Sequence, residues 1–355
     1  MKNIKISSKA LLNFITVFLC TGLILYFIFS ENGLRDFLTN SRNANYKYLL
    51  LALAAHICNC LVDCIITWQM VREKYPHYKL LHGLKSTVTA HFFAAVTPGG
   101  SGGQPMQIYT MVKYGIDAGF ASSVLLMKFI IYQIVTTIYT IILFIMKSKF
   151  IVSQINNRIM PVFAVLGFAF QLTLTFFLLL AGIKPEPLKK FFALFLPILK
   201  KIKGENDAEH FMKSVNTNID TFAKSNKEAV KKPFRIILCT LQIVLQISFI
   251  YSVPYFIYKA LVPLGHESFV TMFCSVAFVN AVSQVLPIPG SSGVAEAAFG
   301  VFFGTFFTKE SLKSAVLIWR TITYYFSIII EGPLSVSSGS KRKRKESDLS
   351  DEQKN

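Results

Sequence analysis

Long apolar runs alternate with short polar segments along most of this chain. Because an α-helix rises about 1.5 Å per residue, roughly 20 apolar residues are enough to cross a bilayer. Runs of about that length predict helices that span a membrane completely. The predicted spans are residues 11–29, 48–70, 118–146, 159–182, 234–259 and 312–334.

Two further apolar regions are each interrupted by a glycine-rich break. Residues 86–96 and 104–112 flank the first break, and residues 269–286 and 294–307 flank the second. Each piece is shorter than about 20 residues, so neither pair predicts two full crossings. Irregular backbone is tolerated at membrane depth only where protein or water covers it. We therefore predict two re-entrant helical hairpins.

The two breaks belong to a sequence repeat. The motif PGGSG at 98–102 returns as PGSSG at 289–293, 191 residues later. Downstream, Lys128 and Tyr132 lie four residues apart in one apolar run, as do Arg320 and Tyr324 in another. Two unrelated Gly/Pro turns are the alternative for the motif alone, but the shared cation and tyrosine favour a true repeat. Repeated, interrupted apolar segments indicate the binding site of a transporter.

The composition agrees with a membrane protein. Of 355 residues, 53% are hydrophobic and 16% are charged, and the mean hydropathy is +0.48. The net charge of +18 raises the possibility of nucleic acid as a partner. The basic residues, however, lie in connecting segments and tails, as membrane orientation and anionic headgroups predict. We therefore expect no nucleic acid partner.

The basic segments also predict the orientation of the chain. The positive-inside rule places the N-terminus, residues 71–85, residues 183–233 and the C-terminal tail in the cytoplasm. The basic loop 147–158 then lies outside, against the rule. In this orientation the first hairpin enters from the cytoplasm and the second from outside, so the repeats are inverted, as in transporters that open alternately to each side.

Two segments differ from the apolar runs. In residues 183–233, Phe191, Phe192, Phe195 and Leu199 have helix-like spacing among many lysines. We interpret this segment as an amphipathic connector on the membrane surface, with a partner-docking element as the alternative. Residues 335–355 form a tail predicted to be disordered, whose KRKRK run at 341–345 suits anionic lipid better than nuclear import.

Several classes of chemistry are not supported. All six cysteines fall in apolar runs, and no His/Cys set with zinc spacing surrounds them, so we predict neither metal nor cofactor. No Walker motif, zinc-protease helix or Gly-x-Ser-x-Gly elbow is present, and no catalytic residue can be named. The first apolar run is long and lacks a clear cleavage site, so we expect a retained helix.

The repeated motifs favour an anion site. A helix that begins inside the membrane presents unpaired N–H groups and a partial positive charge, and glycines allow a ligand to approach the backbone closely. Lys128 and Arg320 add full charges at bilayer depth, which suits a phosphate or carboxylate. In a membrane the expected phosphate belongs to a lipid headgroup. The candidate glycines are Gly99, Gly102, Gly103, Gly290 and Gly293.

Each candidate has an alternative interpretation. Lys128 and Arg320 can instead pair with Asp63, Glu296 or Glu331 and hold helices together. Glu296 suits a helix cap, a counter-ion or a contact to a lipid amine, and Gln104 has a similar place after the first motif. The remaining candidates are Tyr132 and Tyr324, which are hydrogen-bond donors or interfacial anchors, and His91, which we expect to be a packed polar residue.

These motifs resemble the transmembrane region of lysylphosphatidylglycerol synthase, the flippase-like domain of the multiple peptide resistance factor. The resemblance extends to about Leu334. It is carried by TPGGSGGQP at 97–105 with Gln107, Ile108, Tyr109, Lys113 and Gly115, and by LPIPGSSG at 286–293 with Glu296. It implies a bacterial plasma-membrane protein that moves lipids between leaflets. In the full-length factor a cytoplasmic domain transfers lysine to phosphatidylglycerol, and export of the product confers resistance to cationic peptides.

The resulting hypothesis is an all-α polytopic membrane protein with about six full transmembrane helices and two re-entrant hairpins in an inverted repeat. Residues 1–334 form the flippase-like domain, which includes connector 183–233. About twenty residues follow it, too few for an acyltransferase domain, so we expect a lipid translocase rather than catalysis by this chain alone. The alternatives are a lysyltransferase with a separate aminoacyltransferase partner, and a small-anion or amino-acid transporter. Oligomerisation is left open.

Overall fold

A computed structural model describes residues 44–147 and 160–335, apart from residues 184, 195, 198–199, 201–203, 231–232, 285–288 and 292. The predicted span 11–29, most of loop 147–158 and nearly all of tail 335–355 lie outside the described residues. Within these residues the chain is helical and has no strand. Its longer helices are α1 Tyr46–Arg72, α2 Leu80–Val96, α3 Gly103–Lys113, α4 Ala118–Met146, α5 Met160–Ile183, α6 Pro185–Ala193, α7 Glu205–Val230, α8 Pro233–Leu261, α9 Phe269–Ser283, α10 Val294–Phe303 and α11 Lys309–Arg320.

Three of these helices are long and apolar enough to cross a membrane, namely α1, α4 and α8. Side chains fix where two of them begin. The carboxylate of Asp117 accepts a hydrogen bond from the Phe120 amide at 2.8 Å, and the side chain of Asn45 accepts one from the Lys47 amide at 3.2 Å. The predicted spans 48–70, 118–146 and 234–259 are therefore confirmed as apolar helices of membrane-crossing length.

The other described spans differ in detail from the prediction. The predicted span 159–182 corresponds to α5, whose described apolar stretch, Val165–Leu180, is shorter than the three long helices. The predicted span 312–334 begins as α11 and then widens into π-helical turns at Thr321–Tyr325 and Ser327–Glu331. Apolar periodicity does not reveal such widening. The number of complete crossings stays a prediction.

Helices α1 to α4 and α8 to α11 correspond to one another along the sequence. A shift of 191 residues places α1 on α8, α2 on α9, α3 on α10 and α4 on α11 with its π-helical continuation. The second half thus repeats the order of the first, which is two long helices enclosing a pair of shorter ones. The sequence repeat therefore extends over a whole four-helix unit.

The first helices of the two units pack against each other in opposite directions. At the start of α1, the Asn45 amide donates to the carbonyl of Ala260 near the end of α8, at 2.9 Å. At the other end of the pair, Arg235 near the start of α8 donates to the carbonyls of Gln69 and Met70 at 3.2 and 2.8 Å. The equivalent helices α1 and α8 therefore run antiparallel.

Each unit contains a helical hairpin whose two ends return to the same place. In the first hairpin, α2 packs on α3, and the ring of His82 at the start of α2 stacks on Tyr114 just after α3, with centroids 4.1 Å apart. In the second, Phe269 at the start of α9 and Phe307 after α10 contact Tyr255 and Tyr258 of α8 respectively.

These contacts place the hairpin ends at opposite ends of the α1–α8 pair. The first hairpin starts beside the C-terminal end of α1, where Trp68 donates to the Tyr78 carbonyl at 3.1 Å. The second starts beside the C-terminal end of α8. Because α1 and α8 are antiparallel, the two hairpins point toward each other from opposite sides.

The connector is more closely packed than the sequence suggested. Its helix α7 lies against α4 and α5, where Ile219 packs with Ile130. Helix α6 contacts α5 through Phe191, whose ring centroid lies 5.0 Å from that of Phe177, and Lys189 pairs with Asp220 of α7 at 2.5 Å. Of the apolar positions that indicated a membrane-surface helix, Phe191 and Phe192 are exposed, and Phe195 and Leu199 lie outside the described residues, so the membrane-surface connector stays a prediction.

Candidate functional site

The two glycine-rich breaks begin with similar turns. Each forms a short 3-10 turn, at Pro98–Gly100 and at Pro289–Ser291. The residue after the proline is left-handed in both, with φ/ψ of 58°/21° at Gly99 and 58°/14° at Gly290. Glycine adopts this region without the steric cost that a Cβ imposes, which explains why it occupies both positions.

The two turns contact each other at the tips of their hairpins. The hydroxyl of Tyr324, in the π-helical continuation of α11, donates to the Ala95 carbonyl near the end of α2 at 3.3 Å. The Tyr324 ring also lies where a Cβ on Gly290 would be. Tyr324 therefore joins the second turn to the first hairpin.

Glycines after the first turn allow close packing within the hairpin. A Cβ on Gly102 would lie 2.6 Å from Cγ2 of Thr97, whose hydroxyl accepts a hydrogen bond from the Gly102 amide at 2.8 Å. A Cβ on Gly103 would lie 3.0 Å from the carbonyl oxygen of Ala90. These contacts give both glycines a packing role. Ligand contact by them, and by the exposed side chain of Gln104, stays a prediction.

Arg320 is bound to the second turn. Its Nε lies 2.7 Å from Oε1 of Glu296, and Nη1 donates to the Gly290 carbonyl at 3.1 Å. The other carboxylate oxygen of Glu296 accepts from the Gly293 amide at 2.6 Å, at the start of α10. Glu296 therefore serves as helix cap and counter-ion together, two of the alternatives drawn from the sequence.

The guanidinium of Arg320 retains hydrogen-bonding capacity beyond its ion pair with Glu296. Its side chain is 7% exposed and its carbon lies 5.5 Å from the Tyr324 ring centroid. Among the described residues, the buried Nη2 has no hydrogen-bond partner. An unpaired guanidinium N–H at the start of a broken helix is suited to hold an anionic oxygen.

Lys128 is bound to α1 rather than to the first turn. Its ammonium lies 2.9 Å from Oδ1 of Asp63 and donates to the Thr67 hydroxyl at 3.0 Å. Asp63 also accepts from the Gln246 amide of α8 at 3.1 Å. The pairing of Lys128 with Asp63 is thus one of the alternatives weighed from the sequence. Tyr132, one turn after Lys128, packs half-buried against the core.

His91 bridges two carboxylates. Its Nε2 lies 3.4 Å from Oδ2 of Asp63, and its Nδ1 lies 3.1 Å from Oε1 of Glu331. Asp63 belongs to the first unit and Glu331 to the last π-helical turn of the second. The sequence alone indicated a packed polar residue here. Because His91 and Glu331 are 240 positions apart, no local pattern could reveal their contact.

A potential metal-ligand set occurs around the same histidine. Ligand atoms of Cys60, His91 and Glu331 lie within 4.8 Å of one another, and Cys60 Sγ is 3.8 Å from Nε2 of His56. A metal needs a free imidazole lone pair, whereas both ring nitrogens of His91 face carboxylate oxygens. We therefore interpret the cluster as a hydrogen-bonded charge network.

The predicted residues thus fall into two groups. Arg320, Glu296, Tyr324, Gly290 and Gly293 come together around the second turn. Lys128 instead belongs to a network with Asp63 and His91 at the interface of the two units. The unit-to-unit contacts of His91 and Gln246 were not predicted from the sequence.

The fold and site define a polytopic helical membrane protein built from two equivalent units with broken helices. The family model described as the lysylphosphatidylglycerol synthase TM region matches residues 12–330, and the chain belongs to this family. The resemblance noted in the two motifs is therefore confirmed. A UPF0104 membrane protein of Archaeoglobus fulgidus is 23% identical over 317 residues, covering 83% of this chain and 88% of the relative.

Proposed function

We propose that this protein is a lipid translocase that moves an anionic or aminoacylated phospholipid between leaflets of a bacterial plasma membrane, with both termini in the cytoplasm. In this role it would contribute to resistance against cationic peptides. The observation that supports the proposal most strongly is the meeting of two equivalent broken-helix turns, brought from opposite sides by antiparallel units. Inverted repeats with interrupted helices are typical of transporters with alternating access.

The two repeated cations favour an anionic ligand. Lys128 and Arg320 occupy corresponding positions of the two units, and each has a single carboxylate as ion-pair partner among the described residues, Asp63 for Lys128 and Glu296 for Arg320. A phosphate can replace such a carboxylate without leaving the cation unpaired. The free Nη2 of Arg320 offers a first contact.

A cleft beside α1 favours a lipid over a soluble anion. It has a volume of about 500 Å³ and lies between α1 and α8, next to the helix that carries Asp63. Exposed apolar side chains of Phe234 and Leu238 line it together with the polar Gln69 and Arg235. Apolar walls beside polar groups suit an amphipathic molecule whose headgroup enters the protein while its chains stay in the lipid.

The proposed transport cycle is a relative movement of the two units. Rocking of one unit against the other would expose the meeting point of the turns first to one leaflet and then to the other. The headgroup phosphate would exchange with Asp63 or Glu296 as the partner of Lys128 or Arg320. Because a buried cation is costly without a counter-charge, this exchange keeps Lys128 or Arg320 paired at each step.

Leaflet exchange of fluorescent phosphatidylglycerol and lysyl-phosphatidylglycerol in proteoliposomes tests the proposal. Removing Lys128 alone leaves Asp63 buried without its main partner, so the informative variant is Asp63→Asn combined with Lys128→Gln, which removes both charges. If the pair only holds helices together, this double variant keeps its lipid exchange. If Lys128 binds the phosphate, exchange falls at least about tenfold, the loss expected for one charge-assisted contact.

Two further comparisons complete this test. Lys47→Ala, which removes an exposed lysine at the start of α1, should leave exchange unchanged. Flux of a soluble anion or amino acid without lipid exchange would instead support the small-anion transporter. Transfer of lysine from lysyl-tRNA by the purified chain would overturn the non-enzymatic assignment.

A further inference from the structure

We propose that His91, Asp63 and Glu331 form a proton-binding site, so that a proton is a second substrate of this protein. The inference rests on the proposed lipid translocation for its functional consequence, but the site itself is defined by geometry. It lies where α2 meets α1 and the end of the last described helix.

The first argument is the hydrogen bonding of the imidazole. A neutral imidazole has one N–H donor and one lone pair. Both ring nitrogens of His91 face carboxylate oxygens, at 3.4 Å for Asp63 and 3.1 Å for Glu331. A lone pair directed at a carboxylate is repulsive, whereas one added proton gives each contact a donor. The bridge is therefore satisfied when His91 carries a proton on both ring nitrogens and both carboxylates are ionised.

The second argument is the balance of buried charge. Asp63 and Glu331 bring two negative charges, and Lys128, paired with Asp63 at 2.9 Å, brings one positive charge. With neutral His91 the cluster has a net charge of about −1, and with one bound proton it is neutral. Because an uncompensated charge is expensive at bilayer depth, the protonated cluster is the stable one while the bridge is closed.

The ionisable groups facing His91 from its packing partners are few. Helix α1 contributes Asp63, Cys60 and His56, and the last π-helical turn contributes Glu331. Helix α4 contributes Lys128, whose ammonium pairs with Asp63. The other arm of the hairpin, α3, carries Lys113 beside the exposed ring of Tyr109 at its far end, where the hairpin closes. The described neighbours thus supply one cation and two carboxylates close to the ring.

The third argument is the position of the bridge between the two units. His91 belongs to the first hairpin and Glu331 to the second unit, so separation of the units breaks their contact. Ala95, one helical turn after His91, accepts the Tyr324 hydrogen bond that joins the second turn to the first hairpin. Opening the meeting point of the turns therefore also opens the bridge.

Opening of the bridge should allow its proton to exchange. The His91 side chain is 25% exposed while the bridge is closed, more than the side chains of Asp63 and Glu331. A headgroup phosphate that takes Lys128 from Asp63 leaves protonated His91 as the remaining cationic partner of Asp63 and Glu331, so phosphate binding should strengthen proton binding. One proton and one singly charged headgroup then move as a neutral pair.

Nitrogen-15 NMR of histidine-labelled protein tests the site directly. The chain has six histidines, so the signal lost in His91→Gln identifies His91. Both of its ring nitrogens should carry protons at neutral pH, and Glu331→Gln should remove one of them. His77→Gln, in the exposed loop before α2, should leave this signal unchanged. A His91 ring with one unprotonated nitrogen at neutral pH in the wild-type protein would overturn the proposal.

Leaflet exchange under a pH difference tests the coupling. With one proton per singly charged phosphatidylglycerol, a sustained difference of one pH unit should enrich labelled lipid about tenfold in the leaflet facing the alkaline side. His91→Gln should abolish this enrichment, and His77→Gln should keep it. Equal leaflet distributions from a wild-type protein that does exchange lipid would refute coupling but leave the lipid translocase standing. Absence of any lipid exchange would refute the translocase, and the NMR result would still decide the proton site.

Discussion

At the scale of single residues, the two repeated cations are compensated within their own units. Lys128 pairs with Asp63 of the first unit, and Arg320 pairs with Glu296 of the second. Such pairs contribute little net stability, because desolvation offsets most of the attraction. Their presence at corresponding positions of both units is therefore consistent with the proposed ligand binding.

Gly290 offers a prediction at this scale. Its φ of 58° is left-handed, and the ring of Tyr324 occupies the space that a Cβ would need. Gly290→Ala should therefore destabilise the protein by more than the roughly 1–2 kcal/mol that left-handed backbone costs an L-residue. Thermal unfolding of purified protein in detergent measures the effect as a lower melting temperature.

Gly300 provides the matched control for that substitution. It lies within α10, and a Cβ there meets no heavy atom within 4 Å. Gly300→Ala should leave stability unchanged or raise it by about 0.5–1 kcal/mol through helix propensity. Equal melting temperatures for the two alanine variants would contradict the described packing of the second turn.

At the scale of elements, sequence pattern located the helices well and their partners poorly. The bounds of α4 agree with the predicted span 118–146, because apolar length and the Asp117 cap are local properties. Both broken-helix pairs were also predicted, since glycine and proline interrupt them in the sequence. The His91–Glu331 bridge was not, because it depends on how two units pack. The π-helical end of α11 likewise has no signature in apolar periodicity.

The contact between the two hairpins gives a prediction at the element scale. Tyr324→Phe removes the hydroxyl that donates to the Ala95 carbonyl but keeps the ring beside Gly290 and Arg320. The loss should be about 1 kcal/mol of stability, as for one hydrogen bond, and the rate of lipid exchange should change because the turns separate more easily. Tyr325→Phe, at the next residue, is the matched control and should change exchange little. A Tyr324→Phe protein with wild-type stability would show that the hydroxyl does not join the hairpins.

At the scale of the whole molecule, the antiparallel packing of equivalent helices has a consequence for orientation. Any surface feature of the first unit should have its counterpart on the opposite side of the membrane in the second unit. The loops 73–79 and 262–268 are such counterparts, since each joins the long first helix of a unit to its hairpin. The first loop contains Lys74 and Lys79 and is flanked by Arg72 and Lys85, which predicts a cytoplasmic location.

Single cysteines introduced at these two loops into a cysteine-free background test the inversion. His77 is exposed and Leu264 is 87% exposed, so a membrane-impermeant thiol reagent should reach both positions without unfolding. Leu264→Cys should react in intact cells, whereas His77→Cys should react only after the membrane is permeabilised. Lys79→Cys, in the same loop as His77, should follow His77 and so controls for local reactivity. Labelling of His77→Cys and Leu264→Cys from the same side would mean that the units are not inverted, and the alternating-access cycle would then lose its structural basis.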